Sequence, residues 1–118
     1  MITAAYMVNA MLLLLHEIES AYEREWEILK LPGKITGFLV LHIPIILLIF
    51  FGLIEIEKQS SVGWIIGVIL GISGIIPFIV HKIVVRKEFH FNRPISDIII
   101  YLNIVSGCGL VWLISACP

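Results

Sequence analysis

The sequence predicts an all-α integral membrane protein, folded as an antiparallel up-down bundle of four transmembrane helices. Of its 118 residues, 59% are hydrophobic and only 14% are charged. A soluble domain of this length has too little interior for so much apolar surface. Four apolar segments of about 20 residues, the length that crosses a bilayer, are joined by short connections, which place consecutive helices side by side in opposite directions. The whole chain, 1–118, is therefore expected to form one transmembrane domain.

The first helix is predicted over residues 2–29. Its apolar part ends at Leu15, after only fourteen residues. At the α-helical rise this is about 21 Å, which is shorter than a hydrocarbon core of about 30 Å. We therefore expect the charged segment that follows to continue the same helix, with Arg24 and Trp26 at the inner boundary of the membrane, until Pro32 and its neighbouring glycine break it.

The remaining helices are predicted over residues 35–55, 62–86 and 95–117. A polar segment that begins with Glu55 ends the second helix, and Arg86 and Lys87 end the third. Pro94 comes just before the fourth helix, and proline suits a helix start because its φ is already helical and its missing amide proton is not needed there.

Lysine and arginine side chains predict the orientation. The first and third connections, with the adjoining helix ends, carry seven of them, whereas the second connection carries only Lys58. Connections one and three of a four-span protein lie on the same side, and cytoplasmic loops are the ones enriched in Lys and Arg. The expected location is therefore the cell (inner) membrane, multi-pass, with loops one and three cytoplasmic and both termini outside.

Glycines recur at every fourth residue of the third helix, at Gly63, Gly67 and Gly71. This spacing puts them on one helix face, where another helix can approach closely. We favour packing inside the bundle, and a homo-oligomer through the same face is the alternative. The lipid bilayer is the expected partner. No nucleic acid is expected, because the net charge is −1 and the chain has no basic arm.

Ionisable side chains occur on all four predicted helices at a similar depth. Counted at 1.5 Å per residue from the inner edge, they lie about 5–12 Å inside the membrane. They are His16, Glu19, His42, His81 and Asp97. An ionised group that faces lipid near the bilayer centre costs at least about 2.5–3.5 kcal/mol. We therefore expect these side chains to face the bundle interior and to meet one another.

Helix phase sorts the charged side chains of the first helix. At 100° per residue, His16, Glu19 and Glu23 fall on one face. Glu17 points about 100° away from His16, and we expect it to pair with Arg24 or with a different neighbour.

This set of side chains suits a metal. Imidazoles and carboxylates from different helices are ligands for Zn, Fe or Mn, so we predict that the five residues above bind a divalent metal ion. The carboxylate of Glu23 would be the catalytic proton carrier in metal-assisted chemistry on a bilayer-derived substrate. A b-type haem on two histidines is less favoured, because the carboxylates crowd the histidines. Whether the protein is an enzyme stays open.

Two other functions use the same residues. The first is a proton-coupled carrier of a small cation or metal. The second is a structural or accessory membrane subunit, in which the polar network only fixes the register of the helices. Intramembrane ionisable residues usually mark functional sites, but they also occur in purely structural networks.

Several short motifs follow one another along nearly the whole chain. They are Leu15-His16-Glu17-Ile18-Glu19, Glu25-Trp26, Leu41-His42-Ile43-Pro44, Phe78 to His81, Glu88-Phe89 and Pro94-Ile95-Ser96. In this order they resemble a family of small four-span bacterial membrane proteins of unknown function, and more loosely the His-x-x-Glu-Glu membrane proteins. The resemblance implies a common polar site but no activity. Where the family pattern has a second histidine one turn after the first, this chain has Val85.

Overall fold

A computed structural model describes residues 1–28, 30–80, 82 and 94–117. Within these ranges the regular structure is entirely helical. The helices are α1 (Ile2–Tyr22), α2 (Glu25–Ile28), α3 (Lys34–Glu57), α4 (Ser61–Ser73), α5 (Ile75–Ile79) and α6 (Pro94–Ser115).

Four helical stretches of the described chain are long and apolar enough to cross a membrane. They are Ile2–Tyr22, Lys34–Glu57, Ser61–Ile79 and Asp97–Ser115. The prediction of four such helices is therefore confirmed by length and composition. The predicted end of the third helix, at residue 86, lies outside the described residues.

One apolar core joins the four stretches. α1 packs mainly on α6 and also on α3, while α4 packs between α3 and α6. Tyr6 is almost completely buried in this core and donates a 2.8 Å hydrogen bond to the carbonyl oxygen of Ile49 on α3. The outside of the bundle is also apolar: Phe50 on α3, Ile65 on α4 and Val105 on α6 are all more than half exposed.

The three glycines of α4 are buried against other helices of the same chain. A Cβ on Gly63 would lie 2.5 Å from the carbonyl carbon of Glu55, and a Cβ on Gly71 would lie 2.8 Å from the carbonyl oxygen of Gly107. Gly67 faces side chains of α3 and α6 in the same way. The glycine face therefore packs inside the bundle, and a homo-oligomer through it stays a prediction.

The structure interrupts the first predicted helix, over 2–29, at Arg24, whose φ of 57° lies in the left-handed region. After the interruption, Trp26 packs on the inside of the bundle. There it is only 6% exposed, and its ring centroid lies 5.7 Å from that of Phe38.

α4 and α5 are two parts of one stretch whose hydrogen bonding changes at Gly74. The Gly74 amide donates to the carbonyl oxygen of Gly71 (3.2 Å), not to that of Leu70, four residues back. The Leu70 carbonyl oxygen instead accepts a 3.2 Å hydrogen bond from Asn9 Nδ2 on α1. Pro77 contributes to the same change, because it has no amide proton to donate to the carbonyl four residues before it.

Candidate functional site

A cavity of about 430 Å³ lies between α1, α3, α4 and α5. Most of its lining is aliphatic and comes from all four helices. The polar side chains at its wall are His16, Glu17, Ser20, His42 and Ser73. A volume of this size is within the range of about 300–1,000 Å³ that is typical of small-molecule sites, which are also mostly apolar with a few placed polar groups.

Glu17 and His42 form a hydrogen-bonded pair across the interface between α1 and α3. Glu17 Oε2 lies 2.7 Å from His42 Nε2. The His42 side chain is 12% exposed and that of Glu17 28%, so the pair is largely shielded. The His42 ring also packs on the ring of Phe38, with centroids 4.1 Å apart and planes inclined by 31°. These contacts hold the imidazole in one orientation.

The hydrogen bond of the other ring nitrogen of His42, Nδ1, determines how many protons the pair of His42 and Glu17 holds. Nδ1 lies 2.7 Å from the carbonyl oxygen of Phe38, one turn earlier on α3. A carbonyl oxygen can only accept, so Nδ1 carries a proton and donates it. The remaining proton lies between His42 Nε2 and Glu17 Oε2, either as imidazolium with carboxylate or as neutral imidazole with carboxylic acid. The pair is therefore arranged to hold one exchangeable proton.

His16 and Ser20 supply a second polar contact at the same cavity. They lie one turn apart on α1, both nearly fully buried, and Ser20 Oγ is 3.3 Å from His16 Nε2. His16 directly follows Leu15, the last residue of the apolar run. Its burial agrees with the expectation that the charged segment begins inside the bundle.

The cavity reaches the apolar outer surface of the bundle between α3 and α5. Leu41 and Ile45 on α3, Ile69 on α4 and Ile76 on α5 line the cavity, and all four are also exposed on the outside. α5 packs on α6 and α4, and in the described part of the chain it makes no comparable packing on α3. The polar end of the cavity and an apolar opening are thus parts of one space.

Asp97 lies in a different contact from the one predicted. Its Oδ1 is 3.6 Å from Lys82 Nζ, and the Asp97 side chain is about half exposed. The same ammonium group lies 5.5 Å from the centre of the Tyr101 ring. Asp97 therefore belongs to a surface ion pair with an adjacent aromatic ring, and it does not line the cavity.

The other predicted site residues divide into two groups. Glu19 and Glu23 are partly buried, on α1 and at the residue that follows it, and neither lines the cavity. His81 lies outside the described residues. Of the five predicted metal ligands, the structure brings His16 and His42 to one cavity.

The predicted metal finds no cluster of ligands in the described part of the chain. There, no group of three or more His, Cys, Asp or Glu side chains is arranged to hold a metal ion. The Zn, Fe or Mn site, the haem alternative and the catalytic use of Glu23 therefore stay predictions.

Glu17 is the side chain of the candidate site that sequence reasoning did not place. The sequence signal for Glu17 was its position on the helix, about 100° around the axis from His16. A helix in a bundle has neighbours on more than one side, so a side chain at this angle can also face the interior. The first two long helices are joined by a short connection and must be neighbours, and His42 is the only ionisable residue in the apolar interior of the second. Of the two expectations for Glu17, Arg24 or a different neighbour, the structure shows the second, since Glu17 contacts His42 and Arg24 pairs with Glu27.

Comparison with known proteins adds a family but no activity. The family model described as "Family of unknown function (DUF6713)" matches residues 2–116 of the chain. No curated protein and no solved structure matches it.

Proposed function

We propose that the chain, which belongs to this family of unknown function (DUF6713), is a membrane carrier. It would couple the transport of a small molecule to the transport of a proton. The proton would be taken up and released by Glu17 and His42, and the small molecule would occupy the adjoining cavity. The observation that carries the proposal is the shared-proton geometry, in which Nδ1 of the imidazole is occupied by a carbonyl and Nε2 faces a carboxylate.

The proposal includes insertion in a bilayer as an antiparallel bundle. Tyr6 near the start of α1 contacts Ile49 of α3, and Glu17, later on α1, contacts His42, which comes earlier on α3. The two helices therefore run in opposite directions. The exposed apolar side chains on the long helices suit contact with lipid. Because the first and third connections hold most of the Lys and Arg, we place the Glu17 end of α1 in the cytoplasmic leaflet of the cell membrane.

Loss of the shared proton would open the pair. With Nδ1 still protonated, a deprotonated Nε2 presents a lone pair to the carboxylate oxygen, and two acceptors at 2.7 Å repel each other. The Glu17 carboxylate would then be available to another donor or cation at the cavity wall. This gives a direct physical link between proton release and ligand binding.

The proton site is tested by nuclear magnetic resonance of the full chain, labelled with ¹⁵N-histidine, in lipid nanodiscs. We expect His42 Nδ1 to stay protonated over the whole pH range and the Nε2 signal to respond to pH. In Glu17→Gln the response of the Nε2 signal should differ from that of the unsubstituted protein, because the carboxylate oxygen that Nε2 faces is replaced by an amide. Glu57→Gln is the matched control, because Glu57 is an exposed acid at the far end of α3.

Two results would contradict the proposal. One is a His42 Nδ1 that carries no proton, because the tautomer argument depends on the Phe38 carbonyl. The other is a pH response that is the same in Glu17→Gln, Glu57→Gln and the unsubstituted protein.

A further inference from the structure

We propose that the ligand of this cavity is a lipophilic cation, and that the cation replaces the proton shared by Glu17 and His42. The inference rests on the proposed function and adds to it the chemical class of the ligand and the stoichiometry of the exchange.

The size and lining of the cavity indicate the apolar part of the ligand. The cavity holds about 430 Å³, and its wall is predominantly aliphatic. Such a wall suits the apolar part of a ligand, because a polar group placed against it would be left without hydrogen bonds. Leu41, Ile45 and Ile76 form an exposed apolar rim, so among the described residues a ligand dissolved in the bilayer would meet apolar side chains at this opening.

The charge at the wall indicates the sign of the ligand. Among the described residues that line the cavity, the titratable groups are His16, Glu17 and His42, so Glu17 is the one acid. Once the pair has lost its proton, both imidazoles are neutral or cationic and Glu17 is the one group that can neutralise a charged ligand. A carboxylate shielded from water attracts a cation more strongly than one in bulk solvent, and it disfavours an anion.

Charge balances in the exchange. Before binding, the pair has no net charge, whether the shared proton lies on His42 Nε2 or on Glu17. The cation enters beside the Glu17 carboxylate, the shared proton leaves to water, and the imidazole keeps its Nδ1 proton on the Phe38 carbonyl. One positive charge enters for each one that leaves, so the exchange is electroneutral. No covalent bond to the ligand is made or broken.

The test compares two ions of the same shape and opposite charge. Equilibrium dialysis measures the binding of tetraphenylphosphonium and of tetraphenylborate to the full chain in uncharged detergent micelles, with empty micelles as the blank. We expect specific binding of the phosphonium only, weakened at least about tenfold in Glu17→Gln and unchanged in Glu57→Gln. In weak buffer, a pH-sensitive dye should report one proton released per phosphonium bound.

A second readout needs no variant. Addition of tetraphenylphosphonium at fixed pH should remove the shared proton, so that the ¹⁵N signal of His42 Nε2 in the unsubstituted protein becomes that of an unprotonated nitrogen without a hydrogen bond, while Nδ1 stays protonated. This keeps the test decisive if Glu17→Gln does not fold.

The possible failures can be told apart. Equal binding of the phosphonium and the borate would show an apolar space without charge selection, such as a site for a lipid chain, and would overturn the inference. Phosphonium binding without proton release, or without any change at His42, would overturn it as well. If His42 still responds to Glu17 in the pH titration, the proton site stands and only the ligand class is wrong; if it does not, both proposals fail together.

Discussion

Substitution of Gly107 by alanine tests the closest approach between two helices. A Cβ at Gly107 would lie 2.4 Å from the carbonyl oxygen of Gly71 and 3.2 Å from its carbonyl carbon. Because the obstacle is backbone, α4 and α6 must move apart, and forced overpacking of this kind costs about 1–3 kcal/mol. The higher helix propensity of alanine offsets up to about 1 kcal/mol of this. We therefore expect a net loss of up to about 2 kcal/mol in the free energy of unfolding, and a stability about 1–3 kcal/mol lower than that of an unobstructed Gly→Ala variant on the same helix.

Gly109 is the matched control for this change, two residues later on the same helix. A Cβ there would meet nothing within 4 Å, so Gly109→Ala should be neutral or stabilise by up to about 1 kcal/mol. Both variants are unfolded with sodium dodecyl sulfate in mixed micelles and followed by far-ultraviolet circular dichroism. Equal stability of Gly107→Ala and Gly109→Ala would refute the reasoning, because it would mean that α4 and α6 do not meet at Gly107.

Two further predictions use the same unfolding measurement. Tyr6→Phe removes the buried hydroxyl that donates to the Ile49 carbonyl and should lower the free energy of unfolding by about 0.5–1.5 kcal/mol. Tyr101→Phe, on a half-exposed ring, is the control and should change it by less than about 0.5 kcal/mol. Equal losses in the two variants would contradict the buried hydrogen bond. Ser60→Ala removes the hydroxyl that accepts a hydrogen bond from the Gly63 amide at the start of α4, and it should lower the free energy of unfolding by about 1 kcal/mol. Ser61→Ala, at the exposed neighbouring residue, should lower it by less than half of that. The reverse order would show that Ser60 is not the N-cap.

The four apolar helices were the part of the fold that sequence predicted most directly. Length and hydropathy are properties of each segment by itself, so no knowledge of the neighbours was needed to place Ile2–Tyr22 or Lys34–Glu57. The coarse resemblance is also confirmed, because a family of unknown function spans nearly the whole chain. The motif pattern and the bacterial membrane stay predictions.

The site was predicted in part. Depth along the helices singled out His16 and His42 among other residues, and the structure places these two at one cavity, while their role in a site stays a prediction. Rotation about the helix axis was the weaker part of the reasoning, because it assumed one polar face on α1. α1 contacts α3, α4 and α6, so side chains that point 100° apart can both be interior, and Glu17 is the result.

The break at Arg24 was beyond what periodicity could predict. No proline or glycine marks it, and the charged segment around it continues to favour a helix. The gain that accompanies the break is a tertiary one, the burial of Trp26 beside Phe38. Such a gain depends on where another helix lies, which a single sequence does not report.

The hydrogen bond from Asn9 to the Leu70 carbonyl has a consequence for the order in which the chain assembles. The two residues are 61 positions apart, and the Gly74 amide, which would serve Leu70 in a regular helix, is bonded elsewhere. A carbonyl left bare in hydrocarbon costs several kcal/mol. Until α1 packs against α4, the Gly74 amide is the backbone donor that a regular helical turn would offer to this carbonyl. We therefore expect the hydrogen bonding at Gly74 to change only after the first long helix has packed beside the third, so that this irregularity is a late product of assembly.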